Sequence, residues 1–204
     1  MTIFLTGISG LLGTNLALLL LENGYTIKAL VRNINSFKTI AHERLQLIQG
    51  TLSDDLSAHL INVDTVIHAA AECRQDLINY TDYYQPNYIG TKTLLDATIK
   101  LKVRKFIFVS TANTIGYGTQ EITTPQEDRP MRPPFTRSMY ARSKAAAEAY
   151  ILNQREQIQV HIINPTFIIG PYDSKPGSGK IVLMSLKKRL IFYPPGGKNF
   201  VAVK

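Results

Sequence analysis

Three glycines spaced three apart, Gly7, Gly10 and Gly13, stand between an apolar run at residues 2–6 and a helical stretch at residues 14–23. No other feature narrows the folding choices of the chain as far. Glycine lacks a Cβ, so the backbone can turn tightly there and come close to another group. If a helix opens directly after the turn, its first N–H groups have no intrahelical partner and its dipole favours negative charge. A strand, a glycine turn and a helix in that order build a cradle for a pyrophosphate. The spacing is Gly-x-x-Gly-x-x-Gly, not the commoner Gly-x-Gly-x-x-Gly, and a bare glycine pattern is weak evidence of binding. Here the strand and helix context is complete within residues 2–24, which favours binding over a plain glycine-rich turn. The residues expected to touch the ligand are Gly7, Ser9, Gly10, Leu11, Leu12 and Gly13. A P-loop is excluded: Gly179-Lys180 is followed by Ile181, and no glycine stands five positions before Gly179.

The remaining chain alternates between strand and helix patterns. Residues 25–31, 45–49, 64–70, 103–110 and 160–163 read as strands, the fourth of all six being apolar on both faces. Residues 88–101 and 138–154 read as helices, and Gly24 closes the first helix as a C′ residue. Such alternation predicts an α/β fold with a parallel sheet covered on both faces and right-handed crossovers. No internal repeat is present. Residues 116–137, with four prolines, and residues 171–179 read as irregular loops, the places where α/β folds carry their sites.

Two further groups carry chemistry. The second strand ends Val31-Arg32-Asn33, with Lys38 beyond. A carboxylate there would bind a ribose 2′-hydroxyl, whereas a guanidinium can hold a 2′-phosphate by two hydrogen bonds, so NADP is preferred over NAD. The bland alternative is a surface arginine. Tyr140 and Lys144 lie four apart at a helix start and so share a face. An ammonium beside a phenol favours the phenolate, which suits proton transfer at a substrate hydroxyl or carbonyl during hydride transfer. That spacing alone is common. Ser110-Thr111 at the C-terminal end of the fifth strand adds a hydroxyl where ligands bind in such sheets.

Taken in order, these residues resemble the extended short-chain dehydrogenase/reductase family, also described as NAD-dependent epimerases/dehydratases. The resemblance rests on Thr6-Gly7-Ile8-Ser9-Gly10-Leu11-Leu12-Gly13, Asp64 to Ala71, Asn87-Tyr88-Ile89-Gly90-Thr91, Phe108 to Thr111, Tyr140 to Lys144, and Asn164-Pro165-Thr166 with Gly170-Pro171. It implies a Rossmann-type doubly wound sheet and a catalytic set of Thr111, Tyr140, Lys144 and Asn87. Tyr140 is then the acid/base, Lys144 its tuner and a ribose ligand, and Asn87 a support for the helix and a proton relay. Thr111 aligns best with the substrate-orienting hydroxyl, with Ser110 its neighbour and rival. Leu52, Ala69, Ala70, Pro165 and Thr166 would line the cofactor with Arg32, and His68 is structural, not a metal ligand. The chain departs from the family at Thr51, where Gly-Asp-Leu is usual, at Asn164, where arginine is usual, and in the longer stretch before Tyr117-Gly118. These departures, with Val31-Arg32, are similar to the dihydroflavonol-reductase and 3β-hydroxysteroid-dehydrogenase branches.

The chain has 204 residues and a formal charge of +8. Residues 1–128 hold 10 Lys/Arg against 12 Asp/Glu, net −2, and residues 129–204 hold 13 against 3, net +10. Lys187-Lys188-Arg189 invites a nucleic-acid reading, but no aromatic and basic interleaving accompanies it. The single cysteine, Cys73, excludes an intrachain disulfide and multi-cysteine zinc sites, and a cytoplasmic home fits. The longest apolar run, residues 16–21, is too short to span a bilayer. The expectation is a cofactor-binding domain over residues 1–165 and the start of a substrate-binding region over 166–204, truncated. The partner expected is a small molecule, with no nucleic acid, no membrane and a homodimer through the helices near Thr91 and Ala145. A non-catalytic NAD(P)-binding sensor or scaffold is the rival of another class.

Overall fold

The structure is a computed structural model that describes residues 1–37, 39–116, 129–173, 179–186, 188, 197 and 199–203. Lys38, Tyr117, Gly118, Lys187 and Arg189, named above, lie outside them. Six strands, β1 (Thr2–Thr6), β2 (Thr26–Val31), β3 (Leu45–Gln49), β4 (Thr65–His68), β5 (Lys105–Val109) and β6 (Gln159–Ile163), form one parallel sheet in the order β3-β2-β1-β4-β5-β6. The order reverses between β1 and β4, the switch point where such sheets open a crevice at their C-terminal ends. Two three-residue strands, β7 (Phe167–Ile169) and β8 (Phe200–Ala202), pair in parallel as a separate small sheet.

Among the described residues six α-helices accompany the strands: α1 (Leu11–Glu22), α2 (Ser57–Leu60), α3 (Tyr80–Tyr84), α4 (Gly90–Lys100), α5 (Met139–Leu152) and α6 (Gly179–Ser185). The strand period of two sends neighbouring side chains to opposite faces. Phe4, Val66, Phe106 and Phe108 therefore pack against Leu94 and Leu95 of α4 and Ile151 of α5. Ile3, Leu5, Ile27 and Ile67 pack on the other face, against Ala17 and Leu21 of α1. Burial on both sides explains why the strands read as nearly continuous apolar runs.

Besides the short helices α2 and α6, which the sequence reading does not include, the elements differ from it in three further ways. Helix α1 begins at Leu11, not at residue 14, and Gly13 lies inside its first turn. The reason is packing: a Cβ on Gly13 would fall 2.1 Å from the Gly7 carbonyl oxygen, so glycine here joins helix to strand and breaks nothing. The helix expected from residue 88 begins at Tyr80 and passes through a π turn at Gln85–Ile89 before α4. Pro86 lacks a backbone donor, and the wide turn takes it in without ending the helix. Tyr80, Tyr84 and Tyr88, four apart, line up along this segment, with ring centroids 5.5 and 4.8 Å apart. The third difference is β7 and β8, too short to show a period and paired across 33 residues of sequence.

Gly24 offers a contrast with Gly13. It has φ +84°, and a Cβ there would meet nothing within 4 Å, so only its left-handed backbone demands glycine. We expect Gly13→Ala to lower unfolding free energy by about 3 kcal/mol or more through overpacking. Gly24→Ala should lower it by only about 1–2 kcal/mol, the left-handed penalty. Urea denaturation of both variants checks the order.

Candidate active site

The C-terminal ends of β1, β2, β4 and β5 and the start of α1 surround a cavity of about 670 Å³. Gly7 holds φ +82°, and a Cβ there would lie 2.6 Å from the Ala70 nitrogen, so β1 and β4 can exit side by side only with glycine. Gly10 is the N-cap of α1, with extended backbone and no side-chain cap. A Cβ on it would meet only the Gly7 carbonyl oxygen, at 3.4 Å. The uncapped helix start therefore opens on the cavity with no steric demand from the protein itself. A pyrophosphate fits that arrangement: free N–H groups, a favourable dipole and room for close approach.

Ser9, Leu11, Leu12, Arg32, Leu52, Ala69, Ala70, Pro165 and Thr166 all border the same cavity, as does Tyr140. Leu52 occupies the space that a side chain on Gly90 would fill, since a Cβ at Gly90 would lie 2.9 Å from that of Leu52. Arg32 stands exposed where β2 ends.

Tyr140 lies in the first turn of α5, whose N-cap Ser138 accepts a hydrogen bond from the Ala141 N–H at 3.2 Å. Tyr140 and Thr111 both line the cavity. Burial pushes the Tyr140 phenol up to about 12, more than the neighbouring Thr111 side chain draws it down. Thr111 Oγ1 accepts from the Asn113 N–H at 3.3 Å, whereas the buried Ser110 Oγ has no hydrogen-bond partner among the described residues.

Lys144 corrects a sequence expectation. Its ammonium does not sit on the phenol. Nζ donates to the Val109 carbonyl at 2.8 Å and lies 3.8 Å from the centroid of the Phe108 ring. Only 1% of the residue is exposed, and burial pulls its pKa down to about 7, against the opposing charge of Glu148. The physical reason is that α5 packs on the sheet, so a residue one turn after Tyr140 is carried into the β5 core face rather than into the open cavity.

Asn87 is 1% exposed in the π turn. Its side chain accepts from the Glu72 N–H at 2.7 Å and donates to the Glu72 carbonyl at 3.0 Å and to Ser143 Oγ at 2.9 Å. Ser143 Oγ in turn donates to the Tyr140 carbonyl at 2.8 Å. Asn87 is thus joined to the β4 exit and to the first turn of α5.

Several polar residues around the site carry no role in the sequence reading. The Asn164 amide nitrogen lies 2.8 Å from Glu148 Oε1, 3.0 Å from Thr114 Oγ1 and 3.2 Å from the Thr111 carbonyl, three acceptors that share its two hydrogens. Thr114 Oγ1 lies 2.7 Å from the same Glu148 oxygen. This carboxylate pins the short 3-10 turn after β5 that carries Thr111. Its one sequence signal is position: Glu148 follows Lys144 by one helical turn.

The buried groups make stability depend on pH. The folded pKa of His68 is lowered from 6.5 to about 3, chiefly by burial, and that of Lys144 from 10.5 to about 7. The unfolded chain then binds more protons than the folded one between about pH 3 and 6.5 and between about pH 7 and 10, so stability rises with pH in both windows. Tyr140 is raised from 10 to about 12, so between those values the folded chain binds more protons and stability falls. We expect Lys144→Met to raise Tm at pH 7 and to flatten the rise between about pH 7 and 10. Thermal unfolding followed against pH checks both.

Residues 3–190 match the NAD dependent epimerase/dehydratase family. Sterol demethylase protein B of Methylococcus capsulatus is 27% identical over 208 residues, covering 100% of this chain and 63% of that protein. The Bordetella bronchiseptica enzyme WbmH, solved in complex with NAD+, superposes with a TM-score of 0.82 at 26% identity, over 99% of this chain and 68% of that one. The UDP-glucuronic acid 4-epimerase of Bacillus cereus, solved with UDP-glucuronic acid and NAD, gives 0.82 at 25% identity, over 100% of this chain and 69% of that one. The chain spans 59% and 63% of the length of two curated relatives that it matches nearly end to end. No helix among the described residues is long and apolar enough to cross a membrane. With its glycine cradle at the switch point and a match over residues 3–190, the chain belongs to the NAD-dependent epimerase/dehydratase family, the extended short-chain dehydrogenases/reductases.

Proposed function

We propose that the chain carries the dinucleotide site and the acid/base group of an oxidoreductase, epimerase or dehydratase acting on a carbinol or carbonyl carbon of a small substrate. The observation that carries the reading is that Tyr140 and Thr111 line the same cavity onto which the uncapped α1 opens. When bound, the dinucleotide supplies a hydride donor or acceptor. Tyr140 gives a proton to the substrate oxygen or takes one from it, and Thr111 orients that oxygen. A phenol held at about 12 keeps its proton at neutral pH and is ready to donate, which suits carbonyl reduction. Lys144, near neutral pKa and one turn away, adjusts local charge from the β5 core face and would reach a ribose only by releasing the Val109 carbonyl, and Asn87 fixes the first turn of α5 through Ser143.

The substrate class follows the neighbours in two directions. A nucleotide sugar matches the Bacillus cereus epimerase, and a ketone or hydroxysteroid matches the sterol relative. The division into a dinucleotide domain over 1–165 and a substrate-binding region from 166 onward belongs to this reading, with β7 and β8 in the latter. So does a cytoplasmic setting, which keeps the Cys73 thiol reduced. A homodimer through α4 and α5 also belongs to it, their outer faces carrying the Lys92–Asp96 ion pair and the Tyr150 ring. A sensor without chemistry is disfavoured because Tyr140 and Lys144 are both present.

Hydride exchange with NADH and NADPH is to be screened on nucleotide sugars, 3-hydroxysteroids and small ketones. On the substrate so found, Tyr140→Phe should lower kcat by about 10²- to 10⁴-fold with dinucleotide affinity nearly unchanged. Full turnover by that variant would refute the acid/base assignment. Among the described residues Arg32 makes no hydrogen bond or ion pair, which leaves its guanidinium for a 2′-phosphate. Arg32→Ala should therefore weaken NADPH by about tenfold or more, the value of a charge-assisted bond, and leave NADH almost unaffected; equal losses would argue against NADP selection. Fluorescence titration with both dinucleotides reads the difference.

A further inference from the structure

His68 sits at the end of β4, fully buried, between two threonines. Its Nδ1 is 2.7 Å from Thr6 Oγ1, and its Nε2 is 2.9 Å from Thr91 Oγ1. Thr6 and Thr91 are themselves buried to within 1%. The register of β1 on β4 places Thr6 directly beside His68.

The protons on this chain can be assigned by elimination. The Thr91 hydroxyl has one hydrogen, and it lies 2.6 Å from the Asn87 carbonyl, which can only accept. Toward His68, Thr91 can therefore only accept, so Nε2 carries the ring hydrogen. A neutral imidazole then presents a lone pair at Nδ1, so the Thr6 hydroxyl must donate to it. Thr6 Oγ1 keeps its own acceptor site for the Ala70 N–H, at 3.2 Å. The bonds run in one direction, Ala70 N–H to Thr6 to His68 to Thr91 to the Asn87 carbonyl, and each polar group is satisfied. Such aligned bonds polarise one another in a low-dielectric interior.

Both ends of this chain lie at working parts of the site. Ala70 closes over Gly7, the turn glycine whose missing Cβ would strike the Ala70 nitrogen. Asn87 holds Glu72 and, through Ser143, the carbonyl of Tyr140. The ring also lies among Phe106 and Phe108, at centroid distances of 6.2 and 5.6 Å, and Lys144 is the charged group that bears on it.

We propose that His68 is a positioning residue that, as the neutral Nε2–H tautomer clamped by Thr6 and Thr91, ties the glycine turn to Asn87 and so fixes the Asn87 side chain against the β4 exit and α5. The inference deepens the dinucleotide-enzyme reading above and rests on it for its functional meaning, while the tautomer stands on the hydrogen bonds alone.

Ring ¹⁵N–¹H correlation spectra of the full labelled chain test it. The chain has four histidines. One of them should show a hydrogen on Nε2, none on Nδ1, and no protonation between about pH 5 and 8, where a free histidine titrates. This signal should vanish in His68→Gln. Thr91→Val should shift it toward the Nδ1–H form, and Thr91→Ser, which keeps the hydroxyl, should restore it. The second readout is the Asn87 side-chain amide: saturating NADH or NADPH should move its resonance in the wild type and in Thr91→Ser, with that response lost in Thr91→Val. An Nδ1–H tautomer in the wild type, or an unchanged Asn87 response in Thr91→Val, would overturn the proposal. If the wild type binds neither dinucleotide, the proposed function fails and the tautomer alone decides this inference. Should His68→Gln not fold, the two Thr91 variants still give both readouts.

Discussion

The approach of three backbone segments at Gly7 sets much of this molecule. The β1 exit, the β4 exit and the first turn of α1 meet within distances that no Cβ could enter: 2.6 Å at Gly7 and 2.1 Å at Gly13. Side chains elsewhere can shift, but backbone against backbone cannot. Once these segments meet, β1 and β4 lie side by side, the sheet order reverses there, and the start of α1 points across the crevice. The cavity, the uncapped helix end and the β4 residues Ala69 and Ala70 on its wall follow from that contact.

A second theme is the burial of ionisable groups. His68 and Lys144 are removed from water and Tyr140 is half-buried at the cavity, and each is pushed toward its neutral form by its burial. The energetic penalty of hiding His68 and Lys144 is offset by close polar partners: two threonines for His68, a carbonyl and an aromatic face for Lys144. An interior of this kind keeps polar groups in fixed places, because any displacement leaves a buried donor or acceptor without a partner. That suits a site where proton position matters.

Much of this is legible in the residues alone. The strands at residues 2–6 and 45–49 have the bounds that their apolar runs imply, and the parallel sheet follows from the alternation of elements. The glycine spacing points to a cradle, and Tyr140 and Thr111 line one cavity, while Asn87 is joined to Tyr140 through Ser143 and Lys144 is bound to Val109 behind it. What cannot be read there is where each group turns. Helical spacing puts Lys144 on one face with Tyr140 and so makes it look like a partner of the phenol, yet packing on β5 takes its ammonium to Val109. Glu148 and Asn164, sixteen residues apart, give no joint pattern, because their contact is made by the return of β6 beside β5.

The sequence by itself determined the local parts: which segments pleat or coil, where the chain turns without a Cβ, and which residues can move a proton. Those properties depend on residue type and short-range spacing, and they survive in any fold that keeps the order of elements. Tertiary structure alone decided the directions of the hydrogen bonds. The Nε2–H form of His68 depends on Thr91, twenty-three residues away, having already given its hydrogen to Asn87. A donor can be spent only once, and which acceptor receives it is settled by packing across the sheet, not by neighbours along the chain.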